Sequence, residues 1–165
     1  PPMAATVQLI EKNGAGGTGT DKTSGNIRFK NADDATVDLN NPLVKPPSGN
    51  DYSFEKWLRM NVTGGTYSQI TNVKVYSDGA NGMGTGVEVY AKAVSSYSTP
   101  AEASSITGYT NFFSYTSGSA LSLGAGPYTS TGEKADHAVL MCRIDNTVSG
   151  GLTPSETITL AWDEI

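Results

Sequence analysis

Cysteine is almost missing from this chain: Cys142 is the only one in 165 residues. A single thiol excludes a disulfide framework within the chain. Its place in the apolar run "HAVLMCRID" (137–145) reads as a small buried hydrophobe. Histidine is equally scarce. His137 stands alone, which excludes a two-His metal motif and a Cys–His zinc cluster. Next to Asp136 at the entry to that run, it reads as structural. Charge is thin as well, at 16% against a usual figure of about 25%. The 11 basic residues are scattered and the net charge is −5. A phosphate-binding surface needs clustered Lys and Arg, so nucleic acid is not an expected partner. No apolar stretch approaches the roughly 18 residues of a membrane helix, and no basic-then-apolar leader opens the chain. Neither a membrane partner nor a secretory precursor is therefore expected. The Pro-Pro-Met start fits loss of an initiator Met in the cytoplasm, and equally a processed or truncated chain.

In place of these stand Gly, Ser, Thr and Asn, with 19 glycines and only 37% apolar residues. That balance favours a β-rich domain with many tight turns, where glycine supplies positive φ. The length suits one ordinary domain. Repeated alternation marks the strands: "NIRFK" (26–30), "ATVDL" (35–39), "QITNVKVY" (69–76), "GVEVYAKAV" (86–94), "TNFFSYTS" (110–117), the doubly apolar 137–145, and "ETITLAWDE" (156–164). No three-turn amphipathic helix is present. The expected fold is all-β, an antiparallel β-sandwich with jelly-roll-like topology. Residues 12–25, "KNGAGGTGTDKTSG", lack periodicity and read as a flexible linker. They set apart "ATVQLI" (5–10). The division expected is an N-terminal arm and Gly/Thr-rich linker over 1–24 and a single sandwich domain over 25–165.

The stretch "YSFEKWLRMNVTGG" (52–65) fits two patterns. As a helix, Phe54, Trp57 and Leu58 share a face behind a Ser53 cap, but Gly64 and Gly65 end it within two turns. As a strand it alternates except at Lys56 and Trp57, and a bulge is expected there. The strand is the preferred reading. Trp57 then leaves the apolar stripe and sits at a boundary or interface. Trp162 alternates with Ile158 and Leu160 and is expected in the core.

Motifs for catalysis are not found. "GAGGTGT" (14–20) lacks the Lys of a phosphate loop and no helix follows it. "DGANG" (78–82) reads as a hairpin turn; counting Asp78 as first, the twelfth position of a calcium loop is Val89, not Glu. Glu55, Glu88, Glu102, Glu133 and Glu156 lie in separate segments, so no glycosidase pair is indicated. Asn61-Val62-Thr63 matches a glycosylation sequon, which matters only in a eukaryotic secretory setting. No catalytic residue, cofactor or metal is expected. Tyr90, Tyr97, Tyr109, Phe112, Phe113, Tyr115 and Tyr128 crowd the middle third, which suits ordinary sandwich packing, an interface or a sugar-stacking platform.

Three stretches carry a resemblance: "NADDATVDLNNPLVKPPSGNDYSFEKWLRMNVTGGTYSQITNVKVYSDG" (31–79), "GTGVEVYAKAV" (84–94) and the final "ITLAWDEI" (158–165). Together they resemble the β-sandwich capsid decoration, or cement, proteins of tailed bacteriophages. The resemblance covers about half the chain, in a style of sequence rather than a catalytic signature. It implies a non-enzymatic virion protein, made in the host cytoplasm and bound to the outer capsid surface. There it would bridge subunits of the major capsid protein as a homotrimer. Val7, Leu9 and Ile10 of the arm, with Trp57, Phe112, Phe113 and Tyr115, are the interface residues expected. The alternative is a carbohydrate- or receptor-binding module of a tail, fibre or adhesin; an enzyme ranks third.

Overall fold

The computed structural model describes residues 4–165 and contains ten strands. The larger sheet has seven: β1 (Ala4–Asn13), β2 (Thr18–Asp21), β3 (Asn50–Tyr52), β4 (Lys56–Thr66), β6 (Val87–Val94), β7 (Thr110–Asn111) and β9 (Gly132–Asp145). Its order is β2-β1-β4-β9-β6-β7, with β3 also on β9. The smaller sheet has β5 (Ile70–Tyr76) between β10 (Thr159–Glu164) and β8 (Leu121–Gly124). All pairings are antiparallel. The all-β sandwich is as expected. The strand division is seven and three, whereas a jelly roll splits eight strands between two sheets.

The core lies between the sheets. Leu9, Leu58, Met60, Val62, Val89, Ala91, Ala138 and Leu140 line one side, and Ile70, Val73, Val75 and Leu123 the other. These positions follow the period-2 rule, because alternate side chains on a strand share a face. β9 is the central strand, apolar on both faces as its sequence suggests. Near its start it bulges: Leu58 faces Ala138 but Met60 faces Lys134, so Arg59 opposes three residues. Ala135 takes φ 63 there, and Arg59 Nε donates to its carbonyl at 2.8 Å. The bulge lets Ala135 and Ala138 both meet the core while His137 points to the opposite face.

Four expectations about the strands are corrected. First, residues 4–13 are not an arm. β1 lies inside the large sheet, paired with β4 from Ala4↔Thr66 to Lys12↔Trp57. Residues 1–3 of the expected arm lie outside the described residues. Next to the Thr6/Val7 register shift, Gly65, opposite Ala5, holds φ 97, and a Cβ there would run into the Ala4 carbonyl oxygen. Second, residues 12–25 are not a linker: Gly14–Gly17 turns the chain, with Gly17 N–H on the Gly14 carbonyl, and β2 returns along β1. Third, "NIRFK" and "ATVDL" are irregular. Their alternation is real, but Ile27 and Phe29 pack on the core from a loop. Fourth, Lys56 and Trp57 pair regularly, and the irregularities on this stretch fall on either side of them, at Phe54–Glu55 and at Thr63 opposite the Thr6/Val7 shift. Ser53 still bonds to Cys142 of β9, but Phe54 and Glu55 leave the sheet: Phe54 N–H goes to the Lys30 carbonyl and Glu55 N–H to the Ala101 carbonyl.

Candidate functional site

Five large apolar side chains are exposed among the described residues: Val37, Leu39, Val44, Leu152 and Ile165. Three sit on one loop, where Leu39 is 69% and Val44 66% exposed. This loop has no regular structure, yet it is tightly held. Lys30, 1% exposed, donates to Asp34 Oδ2, Asp38 Oδ1 (2.8 Å) and the Thr36 carbonyl (3.3 Å). One ammonium thus gathers three alternate residues of the loop, as a bound cation would. Lys22 donates to the Ala35 carbonyl at 2.6 Å, and Lys56 to the Asp34 carbonyl at 2.7 Å. The Lys30 hydrogen bond, helped by Thr36, holds the Asp34 carboxyl well below its usual range; Lys30 and Asn40 likewise lower Asp38. Buried charges persist only when paired and hydrogen-bonded, and these fix the loop's course.

A second loop joins the same end of the molecule. A satellite cluster of Val87, Cys142, Ile144 and Val148 is packed by Leu43 from the first loop and by Phe29 and Met83. Leu152 borders a shallow groove of about 180 Å³ with Met83, Val87, Val148 and Pro154. Val44 N–H donates to the Asp51 carboxylate of β3 at 2.9 Å. The exposed Val44 and Leu152 therefore flank one cluster, on loops anchored from below. Burial pushes the Cys142 thiol up to about 12, so it stays a protonated core group.

None of the interface residues expected from sequence is on this surface. Leu9, Ile10, Phe112 and Phe113 are buried in the chain's own core, and Val7 and Tyr115 pack against it. Trp57 is only 3% exposed. Its side of the sheet is roofed by the connection from β6 to β7: Tyr97 Oη donates to the Gly14 carbonyl at 2.6 Å, and Tyr109 Oη to Glu55 at 2.9 Å. Trp57 stacks edge-on with Tyr97 and with His137, both at 5.3 Å. Trp162, expected in the core, does pack against it with Ile158 and Leu160, but on the edge strand β10 it is only half-buried. The useful signal for the exposed surface was the run of apolar residues among prolines at 37–47. Its first part alternates like a strand, and nothing local shows which side chains lack cover.

Under that roof is a second polar group. His137 Nδ1 donates to the Val94 carbonyl at 3.0 Å, which leaves Nε2 to accept from Lys12 Nζ at 3.4 Å. Lys12 also meets Glu133 at 2.6 Å and lies 4.7 Å from the centre of the Tyr97 ring. Burial works against the Glu133 carboxylate, but Lys12 and Arg59 together hold its titration below the usual range. For His137, burial lowers the titration point, the Val94 hydrogen bond opposes this, and the Arg59 and Lys12 charges lower it further. The sign follows. The unfolded imidazole takes its proton near pH 6.5, whereas the folded one resists. Stability is therefore full above about pH 6.5 and falls as pH drops below it, toward the folded value. Urea midpoints measured between pH 8 and 5 should decline through that window and flatten in His137→Gln. A flat wild-type profile would contradict this placement of His137. The aspartates with lowered titration points act at more acidic pH and do not share the window.

Among the described residues no three His, Cys, Asp or Glu side chains converge as a metal site, and no helix is long and apolar enough to cross a membrane. No protein-family model, curated protein or solved structure matches this chain.

Proposed function

We propose that this chain is a non-enzymatic structural protein of a virion, which binds the outer surface of a capsid as a homotrimer and bridges subunits of the major capsid protein. The observation that carries the reading is the exposed apolar set Val37, Leu39 and Val44 on a loop pinned from beneath by buried lysines. Single exposed apolar residues are ordinary. Several held rigidly on one loop suit docking, because a preorganised loop loses little freedom when it binds. Repetition over a shell makes weak individual contacts effective. The resemblance in residues 31–94 supplies the kind of partner. The sugar-platform reading gains no support from the aromatic residues, since Tyr97, Tyr109, Phe112 and Phe113 are engaged within the chain.

Co-sedimentation with undecorated capsids tests the reading. Leu39→Ser with Val44→Ser should leave the urea midpoint within error and weaken capsid binding by at least about tenfold, the effect of losing one good interface anchor. Sedimentation of the free or capsid-bound protein should give three copies per assembly. Unchanged capsid binding by the double variant, or glycan binding that depends on the same residues, would overturn it.

A further inference from the structure

Beneath the pinned loop, three side chains meet on the inner face of the large sheet. Glu11 is fully buried, and its Oε1 accepts from Lys56 Nζ at 2.7 Å and from Asn13 Nδ2 at 3.4 Å. Glu11 and Asn13 are two apart on β1 and so share a face. The register that sets Lys12 against Trp57 places Lys56 opposite Asn13 on the neighbouring strand. Lys56 is itself 1% exposed. Two buried side-chain polar atoms among the described residues have no hydrogen-bond partner, and they are Glu11 Oε2 and Asn13 Oδ1. Such orphans are rare in native proteins and call for an explanation. Both are acceptors, on neighbouring residues, and both lack the same thing: a proton.

We infer that Lys56 and Asn13 are joined by an intramolecular isopeptide bond, with Glu11 as the proton carrier. A carboxylate in contact with a desolvated amine is the arrangement that activates lysine as a nucleophile. Lys56 gives a proton to Glu11 and becomes a neutral amine. The protonated carboxyl supplies the hydrogen bond that the Asn13 carbonyl lacks and polarises it. Nζ attacks Cγ, the Cγ–Nζ bond forms, and the Cγ–Nδ2 bond breaks. The second proton shed by Nζ and the one held by Glu11 both pass to the departing nitrogen, which leaves as ammonium. The Glu11 carboxylate is regenerated, charge is conserved, and nothing is oxidised or reduced. Asp33 Oδ1 already accepts from Asn13 Nδ2 at 2.7 Å, where the leaving group gains its charge. After the reaction Lys22, 3.8 Å from Glu11 Oε2, remains as counter-charge, and the Asp34 carbonyl can accept the one N–H left on Nζ. The bond staples β1 to β4. The inference does not rest on the capsid reading.

The test is the intact mass of the purified full-length protein under denaturing conditions, with peptide mapping. The expected mass is one ammonia below that of the sequence, with a branched peptide joining residues 13 and 56. Lys56→Arg and Glu11→Gln should each show the full sequence mass. Asn13-Gly14 and Asn81-Gly82 can also lose ammonia by closing to a succinimide, which mild alkali opens, whereas the isopeptide persists. Full mass in the wild type overturns the proposal. So does a deficit that survives in Lys56→Arg or disappears in alkali. The wild-type measurements decide even where a variant does not fold.

Discussion

Deleting residues 1–24 should abolish folding. β1 lies between β2 and β4, so its loss strips the edge of β4 and takes β2 with it. Leu9 and Ile10 leave the core, where truncating even one such side chain to Ala costs about 2–5 kcal/mol. Glu11 and Asn13 go too, and Lys56 is left as a buried ammonium with no partner from β1, which costs about 3–5 kcal/mol. Together these approach or exceed the whole stability of a typical domain, about 5–15 kcal/mol. The truncated chain should show no cooperative urea transition and no dispersed amide spectrum. A cooperative transition near the wild-type midpoint would restore the detachable arm and remove β1 from the core.

That outcome reverses what the N-terminal sequence suggests, and the reason is physical. "ATVQLI" alternates too briefly to show that it is buried, and "KNGAGGTGTDKTSG" has the composition of a linker. What turns it into a hairpin is pairing with β4, more than 40 residues away, which composition does not reveal. Strands whose cover comes from the opposing sheet were legible: β5, β6 and β9 show their period plainly. Buried charge was not. Nothing local marks Lys22, Lys30 and Lys56 for burial: Lys56 meets Glu11, 45 residues away, Lys22 meets a backbone carbonyl, and the Asp34 and Asp38 partners of Lys30 stand on an irregular loop. The exposed set at 37–44 was hidden for the converse reason. Its residues alternate like a strand, yet no neighbouring strand is present to pair with them.

The two tryptophans separate what local pattern can show from what only tertiary structure shows. Alternation correctly sets Trp57 on the face opposite Leu58 and Met60, but it does not say what covers that face. The cover is the β6–β7 connection, with Tyr97 and His137 edge-on to the indole. Trp57→Ala should therefore cost about 3–5 kcal/mol, the usual range for emptying a buried Trp site. Its aromatic contacts add to the loss, about 0.5–1.5 kcal/mol for each pair. Trp162→Ala should cost less, about 1–2 kcal/mol, because the residue is half-buried on an edge strand. Urea unfolding of the two variants gives the comparison directly. Acrylamide quenching gives it independently: Trp57→Phe leaves the accessible indole of Trp162, and Trp162→Phe leaves the sheltered one of Trp57. A larger stability loss from Trp162→Ala, or stronger quenching of Trp57, would mean that the β6–β7 connection does not seal the outer face. Lys12, Glu133 and His137 would then stand in water, and the decline in stability below pH 6.5 should vanish with the seal.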